Sequence, residues 1–253
     1  MIIKIKKVCF LIGFFFIIGH IARAQDQRFA DSLVDIYLSD SLIGKAKMEL
    51  LRKLSFNEVN DYSKRLNYAE ELILLASQYN NNEYLYHGYF QKGNSNQFLG
   101  DLEEAVASYF KSAEVAKKEK LISAEGSAYG AIADIYSISD NHTNAMLYYG
   151  KAIAKLRNTK DTVALASFVL NAGDALLANK KYDSALAYFN ESGALFEQVN
   201  YVAGKAYNLG NIGMVYAHTG KNDLAEKNIN EAILILQKFG DYHPICVYLI
   251  YMA

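Results

Sequence analysis

Apolar residues along this chain recur at helical spacing, and the helical segments recur in pairs. In residues 208–234, NLGNIGMVYAHTGKNDLAEKNINEAIL, two amphipathic stretches flank a polar turn at Thr219, Gly220, Lys221 and Asn222. The small residues of this hairpin return upstream at a step of 40 residues. Ala225 repeats Ala185, Ala145 and Ala105, while Gly213 repeats Gly173, Ala133 and Gly93. Ile229 repeats Phe189, Tyr149 and Tyr109, and Ala232 repeats Ser192, Ala152 and Ser112. Four units in one register mark a stacked repeat array, in which each unit buries its apolar face against the next.

The pattern predicts helix pairs over 83–98 and 101–118, 121–137 and 141–156, 162–178 and 182–198, and 201–218 and 222–239. Asp161 is placed to cap the helix that follows it. Gly93, Ala133, Gly173 and Gly213 lie on first helices, and Ala105, Ala145, Ala185 and Ala225 on second helices. Small residues there let paired backbones approach, and the Phe, Tyr or Ile four residues after each alanine fills the space toward the next unit. Upstream, 45–56 and 61–78 form a weaker hairpin whose second helix carries the stripe Leu66, Ala69, Leu72, Leu75 and Ala76. Arg65 takes the alanine slot there, a change that fits a terminal repeat with one face lacking a neighbour. Phe29, Leu33, Ile36 and Leu38 make a short lead helix.

Residues 241–253, DYHPICVYLIYMA, begin a further first helix, with Pro244 in its first turn. Ile245, Val247, Leu249 and Ile250 then call for a cover. Either this strip, with Tyr242, self-associates or meets a partner, or the chain is a shortened form of a longer protein; the sequence favours the latter. The expected organisation is a signal segment at 1–24, a lead with a degenerate repeat at 25–82, four repeats at 83–240 and an incomplete repeat at 241–253. The expected fold is all-α, a right-handed superhelical solenoid of antiparallel helix hairpins.

Composition agrees with long helices, since 253 residues contain a single proline. The formal charge is −1, and Lys4, Lys6, Lys7 and Arg23 all precede Gln25, so the remainder is acidic. Nucleic acid is therefore not an expected partner. Those lysines, the apolar run VCFLIGFFFII and Ala22-Arg23-Ala24 have the construction of a cleaved secretory signal. An uncleaved anchor is the alternative. No later stretch is apolar enough to span a membrane. Cys246 alone remains after cleavage, which leaves no intrachain disulfide and no cysteine cluster.

The repeats share a second pattern, of polar residues on the first helices. Asn94, Asp134 and Asp174 directly follow the glycine or alanine anchors, and Asn171 and Asn211 precede them by two residues. Together they form a polar strip suited to hydrogen-bonding an extended peptide, or simply the solvated side of the array. No catalytic group is expected. His20, His87, His142, His218 and His243 lack ligand spacing, and neither a glycine-rich phosphate loop nor a G-x-S-x-G motif occurs. No metal and no cofactor is expected.

Leu209, Ile212, Gly213, Tyr216, Gly220, Ala225, Ile229 and Ala232 together resemble the tetratricopeptide repeat. Tyr129, Ile132, Ala133, Tyr136, Ala145, Tyr149 and Ala152 repeat the match. The third unit keeps Gly173, Tyr182, Ala185 and Phe189 but has Leu176 in the tyrosine position, and the first departs at Lys92 and Asn96. The family's closing proline is absent, and the step of 40 exceeds the usual length of roughly 34. The resemblance implies a protein- or peptide-binding module whose first helices line the recognition groove. The signal segment and lead also make the chain similar to the extracytoplasmic sensor halves of bacterial histidine kinases or helix-turn-helix regulators, without an output domain. That implies a periplasmic protein; a free-standing periplasmic scaffold is the alternative.

Overall fold

Helices of nearly equal length begin at every twentieth residue from Tyr62 to Tyr242. The computed structural model describes residues 26–252, and every regular element among them is an α-helix. In order these are α1 Gln27–Leu38, α2 Gly44–Asn57, α3 Tyr62–Gln78, α4 Asn82–Leu99, α5 Leu102–Lys118 and α6 Ile122–Ile138. They continue as α7 His142–Leu156, α8 Thr162–Ala178, α9 Tyr182–Gln198, α10 Val202–His218, α11 Asn222–Lys238 and α12 Tyr242–Met252.

The regularity comes from the turns. Asn80, Gly100, Lys120, Asp140, Lys180, Asn200, Gly220 and Gly240 all adopt positive φ just past a helix end. The next N–H reaches back five residues, as from Leu121 to the Ala116 carbonyl and from Lys181 to the Leu176 carbonyl, each at 2.9 Å. That closure satisfies carbonyls the helix would leave unpaired. Asp61, Asn81, Asp101, Asn141 and Asp161 then cap the following helices, their side chains accepting from first-turn N–H groups. Most helices are 17 residues long, as α5 and α9 are. Two such helices with two tight turns produce the 40-residue step.

The described residues group into two compact units, one ending at Ile135 and one beginning at Tyr136. The division falls inside α6. In the first unit, Ala30, Met48, Leu51, Leu54, Leu72 and Ala76 form a core under α1 to α4. In the second, Leu170, Phe189, Phe196, Val215, Ile229 and Leu236 do the same for α8 to α11. Burying each of these larger apolar side chains contributes about 1.5–3 kcal/mol before entropic costs.

The anchors act inside their own hairpins. A Cβ on Gly93 would stand 2.6 Å from the Tyr109 ring, on Gly173 2.5 Å from Phe189, and on Gly213 2.6 Å from Ile229. In these three hairpins the residue four after the alanine therefore turns onto the glycine of its own first helix. It does not simply fill a gap toward the next unit. Ala105, Ala133, Ala145 and Ala185 are fully buried, and Ala225 nearly so.

Two other expectations change. Arg65 does not face outward at the edge of the array; it is 2% exposed, enclosed where α3 meets α4. The terminal helix α12 is also better covered than its sequence suggests, since Ile245 and Tyr248 are buried in the second unit's core. Gly210 makes the room, because a Cβ there would lie 2.0 Å from Tyr248 Cζ. Tyr242 and Leu249 stay exposed.

Burial also creates a pH dependence in the first unit. His87 on α4 has its pKa lowered from 6.5 to about 4, chiefly by burial, with Arg52 adding to the effect and Glu49 opposing it. The unfolded chain therefore takes up this proton first. Stability is expected to be level above pH 6.5 and to fall toward pH 4, by at most about 3 kcal/mol for this group. Glu49, held near 2 mainly by its hydrogen bond from Arg52, loses its contribution only below its ordinary 4.5. Denaturant midpoints at pH 7 and pH 5 should thus converge in His87→Phe. An unchanged difference would assign the slope to other groups.

Candidate functional site

The first helices carry their polar residues inward. Asn94 and Asp134 belong to the first unit, and Asn171, Asp174 and Asn211 to the second. Asp134 is 0% exposed, Asn171 2% and Asn211 5%. Asn94 is buried as well, and only Asp174 is half-buried. They do not make an open, solvated strip. In the second unit, α10 is flanked by its own second helix α11 and by the first helices α8 and α12. A face that looks solvent-bound from one hairpin is thereby covered.

In the first unit these side chains form a relay. Arg65 Nη2 donates to Gln91 Oε1 at 2.8 Å, and Asn94 Nδ2 donates to the same oxygen at 3.1 Å. The Tyr109 hydroxyl lies 2.7 Å from Asn94 Oδ1 and 2.8 Å from the Gln97 side-chain amide. One hydroxyl has one hydrogen. Asn94 is oriented by its bond to Gln91, so Tyr109 donates to Asn94 and the Gln97 amide turns its nitrogen toward the hydroxyl. Burial, then the charge of Asp134, pushes the Tyr109 hydroxyl far above its usual pKa, with Arg65 opposing. Tyr109 is a fixed donor at any physiological pH.

In the second unit the links join three successive first helices. Asn211 Nδ2 on α10 donates to Asp174 Oδ1 on α8 at 2.6 Å. Tyr248 on α12 lies with its hydroxyl 3.4 Å from Asn211 Oδ1 and donates to the Tyr207 carbonyl at 3.2 Å. Each side-chain link spans 37 residues, one helical turn short of the repeat. A step of 40 residues passes over Tyr248, whereas a step of 37 from Asn211 reaches it. Burial first, then the Asp174 charge, raises the Tyr248 pKa well above 10.

Among the described residues no group of three or more His, Cys, Asp and Glu side chains could hold a metal. No described helix is long and apolar enough to cross a membrane.

The tetratricopeptide repeat family model matches residues 86–119, 126–154 and 206–236. The chain carries tetratricopeptide repeats. Those matches cover the hairpins α4–α5, α6–α7 and α10–α11. The α8–α9 hairpin lies outside them, although Gly173 and Phe189 pack there as Gly93 and Tyr109 do. No curated protein matches the chain. Among solved structures it is similar to BtubC from P. vanneervenii, at TM-score 0.69 and 18% identity, covering 86% of this chain and 90% of that one. It is also similar to a Rap protein complexed with Competence and Sporulation Factor, at TM-score 0.71 and 15% identity, covering 88% and 63%. A third is a Signal Transduction ATPase with Numerous Domains with a tetratricopeptide repeat sensor, from Pyrococcus horikoshii, at TM-score 0.61 and 14% identity, covering 95% and 40%. The chain thus spans less than two thirds of the Rap protein and of the ATPase. At these identities the tetratricopeptide likeness is one of fold.

Proposed function

We propose that this chain is a non-catalytic protein-binding module that holds an extended segment of its partner along the first helices, as the sensor portion of an extracytoplasmic signalling protein. The observation that carries the reading is the Asp174–Asn211 link. A carboxylate held by a neighbouring helix, yet half-buried, is a pre-oriented acceptor for backbone N–H groups of an incoming chain. The tetratricopeptide repeats support binding. A Rap protein in complex with Competence and Sporulation Factor and a tetratricopeptide repeat sensor within an ATPase support a sensing role. The secretory construction of residues 1–24, which lie outside the described residues, supports export to the periplasm.

Capture of cross-linked partners from an envelope extract by the full chain tests this reading, with Asp174→Asn as the variant. Asparagine keeps an oxygen for Asn211 and removes the charge. About a tenfold loss of affinity is expected, the equivalent of one charge-assisted bond. Undiminished capture would move the contact elsewhere. Mature protein beginning at Gln25 is the expected result of N-terminal sequencing, and retention of residues 1–24 would replace the cleaved form with the uncleaved anchor.

A further inference from the structure

Every clear repeat has alanine at the position where the leading hairpin has Arg65. The exception is enclosed and forms no ion pair. Among the described residues no carboxylate lies within ion-pair distance of its guanidinium; its side-chain hydrogen-bond partner is the neutral amide of Gln91, and Nε is buried with no partner. Glu58 acts on it only at a distance, its oxygens accepting from the Asn60 and Asp61 N–H groups and from Gln27. A charge withdrawn from water in this way is unfavourable until an anion joins it.

An aromatic pair at the surface lies over the guanidinium. Arg65 Cζ lies 5.9 Å from the centroid of Phe98, and Phe98 stacks on Tyr62 at 4.5 Å with the rings nearly parallel. Phe98 is 37% exposed near the C-terminal end of α4. Behind the guanidinium lie Gln91, Asn94 and Tyr109.

We propose that Arg65, beneath the Tyr62–Phe98 pair, is a carboxylate-binding site that opens when Phe98 swings aside. A planar carboxylate matches the open edge of a guanidinium, and its single charge balances the single cation. A phosphate dianion would exceed that charge, and Glu58 nearby disfavours the excess. The inference rests on the reading of the chain as a binding module and names the chemical group recognised. That group comes from a peptide C-terminus or from an acidic side chain.

The full chain is titrated with N-acetylglycine, which supplies a terminal carboxylate, and with N-acetylglutamate amide, which supplies a side-chain carboxylate. N-acetylglycinamide and inorganic phosphate serve as controls at matched ionic strength. The Arg65 Nε–H resonance, identified by its loss in Arg65→Lys, is expected to shift with one or both carboxylates, and the thermal midpoint to rise with it. Which carboxylate acts identifies the source. Arg65→Ala, the residue of the other repeats, is expected to fold and to lose the response, while Phe98→Ala tightens binding severalfold. A wild-type resonance and midpoint that move no more with either carboxylate than with the amide overturn the site, even where Arg65→Ala fails to fold. A larger response to phosphate, or an equal response in folded Arg65→Ala, also overturns it. If the titration fails while partner capture persists, the carboxylate site is lost and the module reading stands; the opposite pair of results removes the module reading alone.

Discussion

Leucine in place of Gly213 is expected to destabilise the second unit by on the order of 3 kcal/mol. Two effects compete. Replacing a helical glycine gains up to about 1 kcal/mol in helix propensity. Against this, the first added carbon would already stand 2.6 Å from Ile229 Cγ1 and 3.2 Å from the Ala225 carbonyl oxygen and the Ile229 nitrogen. Ile229 is 0% exposed, so its side chain has no open space to retreat into, and the backbone atoms of α11 are fixed by their own hydrogen bonds. Overpacking therefore wins. Gly150 on α7 is the control, since a Cβ there meets nothing within 4 Å; Gly150→Ala is expected to be neutral or stabilising. A double variant, Gly213→Leu with Ile229→Ala, should recover part of the loss, because the two side chains compete for one space. Denaturant midpoints at constant m-value measure all three. If Gly213→Leu behaves like Gly150→Ala, the close packing of α10 on α11 is refuted.

That contact was legible from the sequence as a glycine twelve residues before an alanine, although not as a glycine facing the side chain four residues later. The difference is physical. Sequence spacing shows which positions must be small, but the side chain that claims the space depends on how two helices roll against each other. The turns were only partly legible. Gly100 and Gly220 announce left-handed helix ends, whereas Lys120 and Lys180 adopt the same conformation under residues with no preference for it. There the five-residue return bond and the adjoining helices impose the geometry. For this reason the 20-residue half-step is invisible in composition.

The polar residues show a sharper limit. Asn94, Asp134, Asn171 and Asn211 were identifiable as exceptions on apolar helices, and the structure buries all four. A single hairpin leaves its faces open; stacking covers some of them, and only the stack reveals which face is lost. Arg65 illustrates the same point from the other side. Its guanidinium lies 5.9 Å from the Phe98 ring centroid and the residue is 2% exposed, so a residue that breaks the repeat pattern is enclosed all the same.

Tyr248→Ala is expected to release α12 from the second unit at a cost of about 3–5 kcal/mol, the range for truncating a large buried aromatic. The ring sits in the notch left by Gly210 and is 3% exposed. Its hydroxyl also reaches the Tyr207 carbonyl and Asn211 Oδ1, so truncation removes both the filling of the notch and a buried donor. Tyr248→Phe separates the two, since it keeps the ring and should cost about 1 kcal/mol. The loss should be local. Amide protection over residues 242–252 is expected to collapse in Tyr248→Ala, while α8 and α9, held by Phe189 and Phe196 beneath them, retain theirs. Asn211 distinguishes this outcome from general loosening. Its bond to Asp174 does not involve Tyr248, so the Asn211 side-chain amide should stay protected after α12 has detached. Loss of that protection together with α12 would mean that Tyr248 holds the α8–α10 link in place, and that the terminal helix is a working part of the polar network.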